Sequence, residues 1–107
     1  MLVHGYGGSS ALFYKIMKPL SEKFHLIMID ILGMGGSSRP KFNPKTPEDS
    51  DNFFVDFLEN WRQAMGNISG FILAGHSFGG FICGHYAVRY PQHIKKLLML
   101  SAVGVEN

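Results

Sequence analysis

Gly75-His76-Ser77-Phe78-Gly79-Gly80 places a serine between glycines, directly after the apolar run Phe71-Ile72-Leu73-Ala74 and directly before the helical pattern Phe78 to Tyr90. A sharp strand-to-helix turn of this kind holds a serine in a strained backbone conformation with its hydroxyl projecting from the top of a sheet, where it can attack an acyl carbonyl. Gly75 and Gly79 are required if a Cβ at either position would strike the neighbouring chain. The amide of Phe78, at the helix N-terminus, then faces the oxyanion that the attack creates. His76, beside the nucleophile, reads as a positioning residue rather than the general base.

Two further glycine-rich turns follow apolar segments. His4-Gly5-Tyr6-Gly7-Gly8 comes after Met1 to Val3 and can supply a second oxyanion donor, the backbone N–H of Tyr6. Asp30-Ile31-Leu32-Gly33-Met34-Gly35-Gly36-Ser37-Ser38-Arg39-Pro40 comes after His25 to Asp30. A nucleotide site is the competing reading of such turns. It fails because the chain has no G-x-x-x-x-G-K-[ST], and Gly33 to Gly36 lacks the spacing and helix start of a dinucleotide fingerprint. His25 and Asp30 make an H-x-x-x-x-D string like that of some lipid acyltransferases, but here it brackets a buried strand and chance accounts for it. His85 and His93 read as helix-surface and loop histidines without a catalytic role.

These turns need elements to hold them. Met1 to Val3 reads as a short strand, and Ala11 to Phe24 as a helix, with Leu12, Ile16, Leu20 and Phe24 every four residues and Pro19 as a kink. His25 to Asp30 reads as a strand buried on both faces. Thr46-Pro47-Glu48-Asp49 opens a helix with a hydroxyl cap, a proline at the first position and acids near its positive end. Its apolar face is Phe53, Phe54, Phe57, Leu58, Trp61, Ala64 and Met65, and Gly66 stops it. Phe71 to Ala74 and Lys96 to Ser101 are further strands, on either side of the helix from Phe78 to Tyr90. Alternating strands and helices imply an α/β architecture, a partial doubly wound and mostly parallel sheet with helices on both faces and ligands at the strands' carboxyl ends.

With 107 residues, one domain is available, residues 1–107. A composition of 46% hydrophobic and 17% charged residues excludes a disordered chain. Ten Lys and Arg against eight Asp and Glu, with only Lys95 and Lys96 adjacent near the end, exclude a nucleic-acid surface. The single cysteine, Cys83, excludes an internal disulfide or a cysteine-based metal site and reads as a small buried hydrophobe. No metal or other cofactor is called for. With neither a signal sequence nor a membrane span in these residues, the expected location is the cytoplasm or the periphery of an intracellular membrane, and the Asn67-Ile68-Ser69 sequon is read as unused.

The three turns together resemble those of α/β-hydrolases, the elbow matching the G-x-S-x-G pattern and the Asp30 loop matching D-x-x-G-x-G-x-S-x-R-P. Asp30 to Phe42, Phe54 to Gly66 with Glu59 and Trp61-Arg62, and Gly75 to Phe81 are similar to one branch, the α/β-hydrolase domain proteins four and five. That branch includes lysophospholipases acting on N-acylated phosphatidylethanolamine, a lipase co-activator of lipid droplets, and cardiolipin deacylase relatives. The resemblance implies structural roles for Asp30 and Arg39, which organise the loop beneath the active site. It also implies a serine-dependent carboxylic ester hydrolase acting on phospholipid or lysophospholipid through an acyl-enzyme on Ser77, at a membrane or lipid-droplet surface. In that family the triad acid and histidine follow the serine, whereas after Ser77 this chain offers Glu106, His85 and His93, none of which can be placed. An incomplete chain is therefore expected, inactive and poorly soluble by itself, with Phe53, Phe57 and Trp61 uncovered. The alternative is a non-catalytic co-activator or pseudoenzyme of lipid metabolism. The co-activator carries asparagine at the nucleophile position, so Ser77 favours hydrolysis.

Overall fold

A computed structural model describes residues 1–102. Four strands form one parallel sheet: β1 (Leu2–Val3), β2 (Met28–Ile29), β3 (Phe71–His76) and β4 (Ile94–Leu100), in the order β2-β1-β3-β4. Between them run α1 (Tyr14–Ser21), α2 (Pro47–Ala64) and α3 (Phe78–Arg89). The core joins Val3, Ile29, Ile31, Val55, Leu58, Leu73, Ile82, Cys83 and Tyr86, so β1, β2 and β3 pack beneath α2 and α3. Leu73 and Gly75 face α3, since a Cβ on Gly75 would run into the backbone of Gly79 and Gly80. Ile72 and Ala74 must then face the other way, where with Leu98 they line an open apolar groove of about 460 Å³ alongside Leu20 and Phe24. Helices thus lie on both faces of the sheet.

The strands meet the expectation unequally. β3 runs two residues beyond Ala74, to His76, which carries the ladder up to Ser77. Only Met28 and Ile29 pair within the predicted strand His25 to Asp30, because its one neighbour, β1, has itself only two laddered residues. β4 starts at Ile94, ahead of the predicted Lys96, and pairs with β3 across a register shift between Phe71 and Ile72.

The predicted helix Ala11 to Phe24 is corrected. A tight 3-10 turn spans Ser10–Phe13 and α1 only Tyr14–Ser21, with Pro19 inside it and no buried residue. The Leu12, Ile16 and Phe24 stripe is exposed. The apolar face of α2 is also corrected: it buries Val55, Leu58, Glu59 and Arg62, while Phe54, Phe57 and Trp61 pack partly buried against the core and Met65 is exposed. Phe53, Phe57 and Trp61 are therefore not the uncovered residues; the exposed large apolar side chains include Leu98, Met99 and Leu100 of β4. Among the described residues no helix is long and apolar enough to cross a membrane.

At the start of α2, Thr46 Oγ1 accepts the Asp49 amide at 3.0 Å, and Glu48 and Asp49 occupy the first turn. The side chain satisfies one of the helix's otherwise unpaired donors. Thr46→Ala is expected to lower stability by about 1 kcal/mol, read as a shifted urea midpoint with an unchanged m-value.

Candidate active site

Parallel strands deliver three turns to one edge of the sheet, and at the centre is Ser77. Its backbone has φ 54° and ψ −117°, a left-handed conformation that costs about 1–3 kcal/mol and persists because the surroundings leave no alternative. The Ser77 amide donates to Leu100 O at 3.0 Å, and its carbonyl accepts from the Phe81 amide at 3.1 Å. Close packing of β3, α3 and β1 completes the constraint. A Cβ on Gly79 would overlap the carbonyls of Val3 and His4, and one on Gly75 would overlap the carbonyl of Gly79. The Ser77 side chain itself is half-buried, and its hydroxyl makes no hydrogen bond among the described residues.

Phe78 opens α3, so its amide has no carbonyl one turn back to bond. Its ring lies edge-on to that of Tyr6, the centroids 6.2 Å apart. Gly5 approaches Ser77 from the other turn: a Cβ there would lie 3.2 Å from Ser77 Cβ. The structure thus brings Ser77, Phe78 and the Gly5-Tyr6 turn together. His76 is exposed, its ring edge-on to Phe13 at 6.5 Å.

Asp30 holds two segments. Its Oδ1 accepts the Ser10 amide at 2.7 Å and its Oδ2 the Gly36 amide at 2.8 Å. The Ser10 amide above all, then that of Gly36, draws the carboxyl below the usual carboxylate range. Arg39 makes no bond to Asp30; it donates to Ser37 O at 2.6 Å and Gly35 O at 3.0 Å, closing the loop on itself. His25 precedes β2 and Asp30 follows it, so the H-x-x-x-x-D string is split between opposite ends of a strand.

His85 sits on α3 against Phe81, 3.9 Å from Asp51 Oδ2. His93 lies before β4, at the far end of the sheet, with Nδ1 3.2 Å from Ser69 Oγ. Neither hydrogen-bonds Ser77. Glu106 lies outside the described residues. Burial pushes the Cys83 thiol up to about 12, which leaves it protonated and unreactive. Among the described residues no group of three or more His, Cys, Asp or Glu could hold a metal ion.

Two features escaped sequence reasoning. One is an aromatic series leading from Tyr6 through Phe78 to Phe54 and Phe42, with centroid separations of 6.2, 5.1 and 5.6 Å. Only the fold brings Phe54 against Phe78, the neighbour of Ser77, and Phe42 against Phe54. The other is a buried ion pair: Arg62 binds Glu59 in a fork, with Nη2 2.6 Å from Oε1, while Tyr86 donates to Glu59 Oε2 at 2.6 Å. Arg62 Nη1 also donates to Ile68 O at 3.1 Å, tying α2 to the approach to β3. The Arg62 guanidinium, helped by Tyr86, holds the Glu59 carboxyl down to about 2.

Comparison with known proteins gives a consistent result. The alpha/beta hydrolase fold family profile matches residues 1–107. A 1-acylglycerol-3-phosphate O-acyltransferase of Arabidopsis thaliana is 43% identical over 97% of this chain and 25% of its own length. A human (lyso)-N-acylphosphatidylethanolamine lipase is 42% identical over 97% of this chain and 30% of its own. Among solved structures, a membrane phospholipase A described as a bacterial virulence factor superposes with a TM-score of 0.85 at 30% identity, covering 98% of this chain and 32% of that one. The chain therefore spans about a quarter to a third of the length of these relatives.

Proposed function

The chain belongs to the α/β-hydrolase fold family, and from that premise we propose that the whole protein carrying it transfers acyl groups from lipid esters through an acyl-enzyme on Ser77. The observation that carries the proposal is the strained serine at the start of α3, with the Phe78 amide and the Gly5-Tyr6 turn beside it. Ser77 Oγ attacks the ester carbonyl and gives its proton to a general base. Negative charge on the former carbonyl oxygen is met by the Phe78 and Tyr6 amides, and the bond to the alcohol breaks as that alcohol takes up the proton. Water, or the hydroxyl of a second lipid, then accepts the acyl group. We assign the base and its orienting acid to parts of the whole protein beyond the described residues.

Lipid specificity is supported by the relatives, which are named for an acylglycerol phosphate acyltransferase and for an N-acylphosphatidylethanolamine lipase. Phospholipid and lysophospholipid esters are the proposed substrates, met at a membrane or lipid-droplet surface. A fluorophosphonate probe on the whole protein is expected to label Ser77. Release of fatty acid from lysophospholipid should exceed cleavage of a short p-nitrophenyl ester, and adding lysophosphatidic acid separates acyl transfer from hydrolysis. Equal rates on all esters would leave a general esterase. Absence of labelling in a folded protein would favour the non-catalytic co-activator.

A further inference from the structure

His4 is completely buried between the first two strands' exits, and both its ring nitrogens are engaged. Nε2 lies 2.8 Å from the Ile31 amide nitrogen, and Nδ1 2.7 Å from Gly5 O. A backbone amide can only donate, so Nε2 must present its lone pair; a carbonyl can only accept, so Nδ1 must carry the proton. One neutral tautomer satisfies both contacts.

The consequence falls on the next peptide unit. The Gly5–Tyr6 peptide is trans, which makes its C=O and N–H point in opposite directions. Its carbonyl is held on the His4 side by the imidazole and by the Gly8 amide at 3.1 Å. The Tyr6 N–H is therefore turned away from His4, and it has no hydrogen-bond partner among the described residues. Gly5 lies beside Ser77: a Cβ built on it would come 3.2 Å from Ser77 Cβ. The far end of the same turn is also fastened, at Ser10, by Asp30. We propose that His4 is a positioning residue, whose Nδ1–H tautomer fixes the Gly5–Tyr6 peptide so that the Tyr6 amide faces an oxyanion formed at Ser77.

The purpose of this arrangement rests on the acyl-transfer reading; the peptide placement does not. Two variants divide the two bonds. Asparagine at position 4 puts an amide N–H near the place of Nδ1 and can donate to Gly5 O, but falls short of Ile31. Glutamine reaches toward the Ile31 amide with its carbonyl oxygen and leaves Gly5 O with Gly8 alone.

The test uses the whole protein. Imidazole nitrogen NMR of the wild type should show His4 as the Nδ1–H tautomer. His4→Gln should lower kcat about tenfold with KM within about twofold, less than the 10²–10³ for outright loss of an oxyanion donor because the Gly8 bond remains. His4→Asn should stay within about threefold of wild-type kcat. A merely structural role predicts instead that kcat follows the thermal midpoint equally in both variants, and that result overturns the proposal, as does an Nε2–H tautomer. If the wild type neither labels nor turns over, the acyl-transfer reading falls. The Tyr6 amide resonance then decides the placement: a shift in His4→Gln but not in His4→Asn upholds it, and no shift in either sinks it.

Discussion

Ser77→Ala is expected to lower ester turnover of the whole protein by about 10⁶-fold and to abolish fluorophosphonate labelling, with circular dichroism and thermal midpoint unchanged. The hydroxyl makes no hydrogen bond among the described residues, and the strain at φ 54° belongs to the backbone, which alanine shares. Removing Oγ takes away chemistry and little else. Gly79→Val is the control with the opposite signature. Its Cβ would overlap two carbonyls of the central strand region, Val3 O and His4 O, and backbone cannot swing aside as a long side chain can. A stability loss of about 3 kcal/mol or more is expected from such overpacking, visible as a lowered urea midpoint. Equal loss of structure in both variants would contradict the elbow assignment.

The second large effect is expected at Glu59. Glu59→Gln leaves the buried Arg62 guanidinium without its counter-charge, and breaking a buried pair in this way costs about 3–5 kcal/mol. Replacing both residues by apolar ones of similar volume should recover much of that loss, because no charge is then left stranded. The wild-type contribution depends on pH in a definite direction. Glu59 has a folded-state pKa of about 2 against an ordinary value of 4.5, so its stabilisation is complete above 4.5 and fades as the pH falls toward 2. Urea unfolding between pH 6 and pH 2.5 should show a steeper decline for wild type than for Glu59→Gln. Parallel declines would mean that Glu59 does not carry the acid sensitivity.

The contrast between these two sites explains what could be read in advance. The parallel α/β architecture and the elbow are written locally: an apolar run, a glycine pair around a serine, then a helical pattern, all within about twenty residues. The Thr46-Pro47-Glu48-Asp49 start of α2 is equally local. The Glu59–Arg62 pair looks like an exposed i, i+3 pair in sequence, and its burial depends on Tyr86, 27 residues away. His4 carries no local signal either, since Ile31 gives it one of its two partners. α1 failed for another reason. Apolar spacing every four residues describes which side chains would share a helix face, but that stripe is exposed, and packing rather than spacing decides how far a short helix extends.

The strand order also sets a timetable. β1 is an inner strand of the sheet, yet it pairs with Met28 and Ile29 on one side and with Ala74 and Gly75 on the other. Between Leu2 and its partner Ala74 lie about 70 residues, including β2 and the whole of α2. At a synthesis rate of about 5–20 residues per second, β1 waits roughly 4–14 s before β3 exists to flank it. Closing so long a loop is also entropically unrewarded until the ladder forms, which slows this pairing relative to that of β3 with β4. Nascent chains held after β2 but before β3 should therefore be the species that chaperones bind, with Val3 and Ile29 still accessible to water.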